Sequence, residues 1–172
     1  MDSFSLILVS KLNLFNLLKE KYAESSIPMS VYNKAIIESI EQVDNLGSSM
    51  DDALAEGCIM FEDPSTDSIM KVDRKEFETG IKLSMDEEEA IALALQMNAK
   101  ALLTNDREVA KMANLLGIST IGIPTILLWA FKSRKVTKPE ILDLCEKSFK
   151  ENLKIESESL PSLYNAILNS KS

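Results

Sequence analysis

Residues 100–124, KALLTNDREVAKMANLLGISTIGIP, constrain the fold more than any other stretch, because their hydrophobic period changes twice in a short span. Ala101, Leu102 and Leu103 form a continuous apolar run of strand length. Val109, Met112, Ala113 and Leu116 then recur at helical spacing, and Gly117 stands where a C-cap would end that helix. ISTIGI is a second strand-like run. Strand, helix and strand in this order predict parallel pairing with the helix crossing one face. The polar knot Thr104-Asn105-Asp106 therefore falls where a strand ends and a helix begins. In open α/β sheets that crevice is where ligands bind. An ordinary cap reads the same way, since Asn105 or Asp106 could simply accept the first amides of the helix.

The alternation extends along the chain. Residues 5–22 read as helix broken near Lys11 to Asn13, SSIP as a short strand, and MSVYNKAIIESIEQV as an amphipathic helix through Val31, Ala35, Ile36 and Ile40. Residues 44–57 suggest a turn and a short helix. Between Cys58 and Leu83 the pattern blurs, and CIMFED and SIMKVD could each be a strand around PSTD. SMDEEEAIALALQMNA is a helix, Pro124 opens TILLWAFKSRKV, and TKPEILDLCEKSF and SLPSLYNAIL close the chain as helices, the first capped by Thr137. The expectation is one α/β domain spanning 1–172, with 136–172 as a helical extension packed on it.

Composition narrows the chemistry. The chain has no histidine, which excludes a His general base, a Ser-His-Asp triad and a His-ligated zinc site. Catalysis would have to use carboxylates, lysines, hydroxyls or a cation held by oxygen. Acids outnumber bases, 27 to 19, for a net charge of −8, so bulk nucleic acid is repelled unless positive charge is gathered locally or a cation intervenes. Cys58 and Cys145 lie far apart without CxxC spacing, and the opening residues do not read as a secretory signal; both suggest a reducing, cytoplasmic setting. The apolar runs are too short to span a bilayer.

Among the acids, Glu87 follows the edge of the stripe Ala90, Ile91, Leu93, Ala94 and Met97, which would aim it at the sheet end. It is also the fourth position of a capping box, Ser84-x-x-Glu87, and one carboxylate could serve both readings. Asp2 precedes SFSLILV at a helix start, as a cap or as a site residue. Acids gathered at strand ends are what a hard cation such as Mg²⁺ or Mn²⁺ requires.

These segments, taken in order, resemble a PIN domain, and within that family the small prokaryotic and archaeal proteins related to VapC-type toxins. MDSFSLILVSKLNLFNLL is similar to the family opening D-x-S-x-L-I-x-L-A-K-I, and IPMSVYNKAI to its I-P-x-x-V-x-x-E helix start. The block LSMDEEEAIALALQMNAKALLTNDREVAKMANLLGISTIGIPTILLWAFKSRKV resembles L-G-x-G-E-x-E-A-I-A-L-A, the T-x-D strand end and the closing segment. The resemblance implies a three-layer α/β/α sandwich around a parallel sheet of about four or five strands. It implies a metal-dependent ribonuclease whose acids match Asp2, Glu87 and Asp106, with Thr104 and Asn105 beside them and Mg²⁺ or Mn²⁺ as cofactor. RNA, a small antitoxin and a second copy of the chain are the implied partners.

The sequence departs from that pattern at defined points. Lys34 stands where the family has its second acid, and Glu38, one turn further on, could reach in. Phe4 replaces a small hydroxyl residue, Ser84 and Asp86 replace the glycines of the G-x-G-E step, and only Met1 precedes Asp2. A non-cleaving PIN-fold protein that binds RNA or a protein partner is therefore the alternative. An ammonium at residue 34 inside the acid cluster would favour it. Lys132, Arg134, Lys135 and Lys138 form the densest basic cluster and are the expected RNA contact, unless they are simply a solvated helix end. The apolar surplus of TILLWAF and SLPSLYNAIL, Trp129 included, is the basis for expecting a homodimer.

Overall fold

The computed structural model describes residues 1–41, 46–150 and 159–169. Asp2 caps α1 (Ser3–Lys11) by accepting the Ser5 amide on Oδ1 at 2.7 Å. Leu6, Ile7, Leu8 and Val9 are all buried, so this helix lies inside the protein rather than on it. Asn13, with φ of 52°, breaks the chain where the sequence predicts, and α2 (Phe15–Tyr22) follows.

β1 (Ser26–Ile27) leads into α3 (Met29–Glu41), then α4 (Gly47–Ala55) and β2 (Met60–Phe61). Of the two strand candidates in the blurred region, CIMFED supplies β2 but SIMKVD does not. That segment lies inside α5 (Thr66–Thr79), whose start is fixed by Ser65 accepting the Ser68 amide and whose end is fixed by Gly80 at φ 73°. Cap chemistry at both ends outweighs the local strand-like alternation.

α6 (Met85–Gln96), β3 (Leu102–Leu103), α7 (Arg107–Leu115), β4 (Thr120–Ile121) and α8 (Ile123–Lys132) complete the repeating part. α9 (Lys138–Lys150) and α10 (Ser159–Leu168) pack on α8 and on each other. Thr137 stands at the start of α9 as expected, its amide and hydroxyl both donating to the Glu140 carboxylate at 2.7 Å. Residues 42–45, 151–158 and 170–172, which fall in the end of the predicted helix MSVYNKAIIESIEQV, the predicted turn at 44–57 and the predicted extension, lie outside the described residues. Ile126, Leu127, Ala130, Leu163 and Ile167 are buried, so the apolar surplus of the last helices goes largely into the core of one chain.

β1 pairs in parallel with β2, matching Ser26 to Met60, and β3 pairs in parallel with β4, matching Leu102 to Thr120. The predicted central sheet is present among the described residues as these two short pairs. Met1 and Asp2 bridge them: the Met1 nitrogen donates to the Ser26 carbonyl at 3.4 Å, and the Asp2 amide to the Leu103 carbonyl at 3.3 Å. Behind this bridge lies a cavity of about 350 Å³, walled by Leu18 and Tyr22 on one side and Ala90, Leu93 and Ala94 on the other. The bridge puts Asp2 at the carboxyl ends of β1 and β3, among the helix starts that follow them.

Candidate functional site at the strand ends

Asp2 is 2% exposed although it is a carboxylate, and burial raises its pKa above the ordinary aspartate value. The Thr104 and Ser5 hydroxyls and the Ser5 amide only partly offset that burial. Its Oδ2 is buried with no hydrogen-bond partner. A buried acceptor left unmatched is costly, and a cation is one way to satisfy it.

The polar knot after β3 has a role for each residue. The Thr104 hydroxyl accepts the Asp106 amide at 3.1 Å and also serves Asp2, linking the two acids. Asp106 caps α7 with Oδ1, accepting the Glu108 and Val109 amides at 2.8 and 3.0 Å, and is exposed. Asn105 donates to the Ser5 hydroxyl and accepts the Ile123 amide at 3.1 Å, fastening α1 and the start of α8 to the strand end. Gly122 permits that approach: a Cβ there would stand 2.9 Å from Asn105 Oδ1. The cap reading and the site reading are thus both true of Asp106.

The start of α6 shows the capping box that the sequence offers, and buries a different acid beside it. Glu87 completes the capping box, its Oε2 accepting the Ser84 amide at 2.8 Å. The buried acid is its neighbour Asp86, 4% exposed, whose Oδ2 accepts the Ser3 hydroxyl at 2.7 Å and is thereby placed beside Asp2. Asp86 Oδ1 accepts the Ser84 hydroxyl and the Lys34 ammonium, each at 2.8 Å. Burial opposes ionisation of Asp86, but Lys34, Ser3 and Ser84 hold its pKa below the usual value. Burial likewise opposes the Lys34 charge, but Asp86, with Glu87 and Glu38 further off, holds the ammonium above the ordinary lysine value. Glu38 therefore contributes to the electrostatics of the site through Lys34. Glu89 turns to α3, accepting the Ser30 hydroxyl at 2.5 Å.

Asp86 escaped the sequence reading for a physical reason. Ala90, Ile91, Ala92, Leu93 and Ala94 are all buried, so α6 has no single apolar stripe from which to phase its first acids. The clue that could have found it was its place four residues before Ala90 and seven before Leu93.

The basic cluster, which the sequence offers as an RNA contact or a solvated helix end, starts at the C-terminal end of α8. α8 begins at the acid edge, where Ile123 meets Asn105, and its ten residues carry the chain about 15 Å before Lys132. Lys135 pairs with Glu20, and Lys138 donates to the Leu168 carbonyl at 2.9 Å. The four cations thus lie at the far end of α8, because a helix following a parallel strand leads back from the strand end. Cations nearer the acids are Lys34 and Arg107, the latter lining a groove of about 210 Å³ with Asp106 and Gly122. A second acid group, Asp73, Glu76 and Glu88, lies between α5 and α6, with ligand oxygens within 4.8 Å of one another. Burial and the adjacent Asp73 push Glu88 up to about 7. None of its members coincides with Asp2, Asp86 or Asp106.

Short parallel strands flanked by helices, with acids at the strand ends and helix starts, are the arrangement of the PIN class of α/β folds. The chain belongs to that family: the family model DUF3368, PIN domain, matches residues 1–165. No curated protein and no solved structure matches the chain significantly. Among the described residues no helix is long and apolar enough to cross a membrane.

Proposed function

We propose that the chain is a metal-dependent endoribonuclease of the PIN type, hydrolysing RNA phosphodiesters at the Asp2 edge. The observation that carries this reading is the Asp2 carboxylate, buried, raised in pKa and with Oδ2 unpartnered. Its neighbour through Thr104, Asp106, spends only Oδ1 on its capping bonds. Hard oxygen donors of this kind fit Mg²⁺ or Mn²⁺, and Asp2 and Asp106 would hold the ion. When bound, such an ion supplies charge neutralisation at a phosphate oxygen and lowers the pKa of a water. Thr104 and Ser5 hold Asp2 in place, and Asn105 keeps the start of α8 against the strand end. On this reading the protein is an RNA-processing enzyme that works in the cytoplasm. A toxin role with a small antitoxin, and a homodimeric assembly, complete the proposal.

A second reading has a specific observation in its favour. Lys34 reaches into the acid group and neutralises Asp86, as a non-cleaving PIN-fold protein that binds RNA or a protein would allow. Incubating the protein with labelled single-stranded RNA and Mn²⁺ separates the two. A nuclease gives cleavage that chelator abolishes and that Asp2→Asn and Asp106→Asn each reduce at least a hundredfold. RNA retained intact, with equal binding by wild type and both variants, would support the second reading.

A further inference from the structure

The departure at residue 34 has an electrostatic meaning within the proposed metal site, and the inference below rests on that reading. We propose that Lys34 is a built-in cation of the site: it satisfies Asp86 permanently, so that the chain takes a single divalent ion, at Asp2 and Asp106.

Three observations lead there. First, both oxygens of Asp86 are already engaged, by three donors in all. Oδ1 receives the Lys34 ammonium and the Ser84 hydroxyl, and Oδ2 receives the Ser3 hydroxyl, all at 2.7 to 2.8 Å. A metal ion binding Asp86 would have to compete with an ammonium and two hydroxyls for a carboxylate that is 4% exposed. Second, Asp2 is the opposite case, 2% exposed with Oδ2 buried and unpartnered. The demand for a cation is therefore localised on one side of the acid group. Third, when Asp2, Asp86 and Asp106 are all ionised they carry −3, and the Lys34 ammonium reduces this to −2, which one divalent ion offsets; Glu87 and Glu38 lie further off, around Lys34.

Lys34 is tethered as well as charged. Its Nζ also lies 3.2 Å from the Ser84 hydroxyl, so it spans the N-cap of α6 and Asp86 together. With Ser3 on its other oxygen, Asp86 ties α3, α6 and α1 at a point directly behind Asp2. Lys34 is thus a positioning residue: it fixes the wall of the metal site and sets the charge the ion meets.

Mn²⁺ titration of the whole chain by calorimetry, with electron paramagnetic resonance on the same samples, tests this without any substrate. The wild type should bind one Mn²⁺ per chain and give the six-line signal of an isolated ion. Lys34→Glu should bind two, with the signal broadened by coupling between neighbouring ions. Should Lys34→Glu fail to fold without metal, Lys34→Met carries the test: the first ion should bind about tenfold more tightly, because a repelling unit charge is gone. Two ions in the wild type, one in a folded Lys34→Glu, or unchanged affinity in Lys34→Met would each overturn the inference while leaving the metal site standing. No Mn²⁺ binding by the wild type would overturn the metal reading and this inference with it.

Discussion

Replacing Thr104 by Val probes the link between the two acids with almost no change in shape. Thr104 is 4% exposed, and its hydroxyl does two things: it accepts the Asp106 amide at 3.1 Å and helps hold charge on Asp2. The Asp106 residue is exposed, so its orphaned amide can turn to water and costs little. Asp2 cannot, since it is buried and Oδ2 already lacks a partner. Losing a hydrogen bond to a charged, buried group costs about 1.5–3 kcal/mol, whereas losing one to a neutral group costs about 1 kcal/mol. The pH dependence follows from the sign. The folded pKa of Asp2 is already raised above 3.8, so ionising Asp2 works against folding as pH rises past its unfolded pKa. Removing a donor to the charged form raises that pKa further. The deficit of Thr104→Val should therefore be about 1 kcal/mol at pH 4, where Asp2 is neutral in the folded state, and grow toward about 2 kcal/mol as pH rises through the raised folded pKa of Asp2. Urea denaturation followed by circular dichroism across a series of pH values from 4 upward measures it. A deficit that is flat with pH, or larger in acid, would refute the argument that Thr104 supports a carboxylate.

Three further outcomes are expected. Gly122→Ala places a Cβ 2.9 Å from Asn105 Oδ1, which is tied to the Ile123 amide and cannot withdraw freely; it should cost about 1–3 kcal/mol and speed amide exchange at Ile123. Glu88, raised to about 7 by burial and Asp73, opposes folding once the pH exceeds its unfolded value of 4.5. Glu88→Gln should therefore stabilise by about 1 kcal/mol at pH 8, a discounted figure because the group is substantially solvated, and by almost nothing at pH 4 in thermal melts. Neutralising Lys132, Arg134, Lys135 and Lys138 together should leave Mn²⁺ affinity unchanged in calorimetry, since α8 puts about 15 Å between them and the acids.

The repeating part of the fold was legible because its signals are local. The break at Asn13, the Thr137 cap and the strand–helix–strand unit at 100–121 all announce themselves within a few residues. SIMKVD misled because a short alternating run carries less weight than caps that stand on either side of it, at Ser65 and Gly80. At the site, Asp2, Thr104 and Asp106 were legible from their position at a strand end or helix start. The choice between Glu87 and Asp86 was not, because it depends on Ser3 and Lys34, 83 and 52 residues away in sequence. Long-range partners of a buried carboxylate leave no periodic trace. The direction of α8, which removes the basic cluster from the acids, is a property of parallel topology rather than of composition.

The charge distribution also orders the events at the site. The whole chain carries −8, the inner acid group carries −2 even with Lys34 counted, and two members of the obvious basic cluster are engaged at the far end of α8. A phosphate approaching Asp2 before a cation therefore meets net repulsion in a site that is largely dry, where screening is weak. Once a divalent ion has offset the charge left on the inner acids, with Lys34 already counted, that repulsion is gone and the ion itself attracts the same phosphate. On the proposed nuclease reading, metal is then expected to precede RNA, the ion serving the binding surface as well as the chemistry. An acidic protein can in this way discriminate sharply between its loaded and unloaded states without moving any part of its backbone.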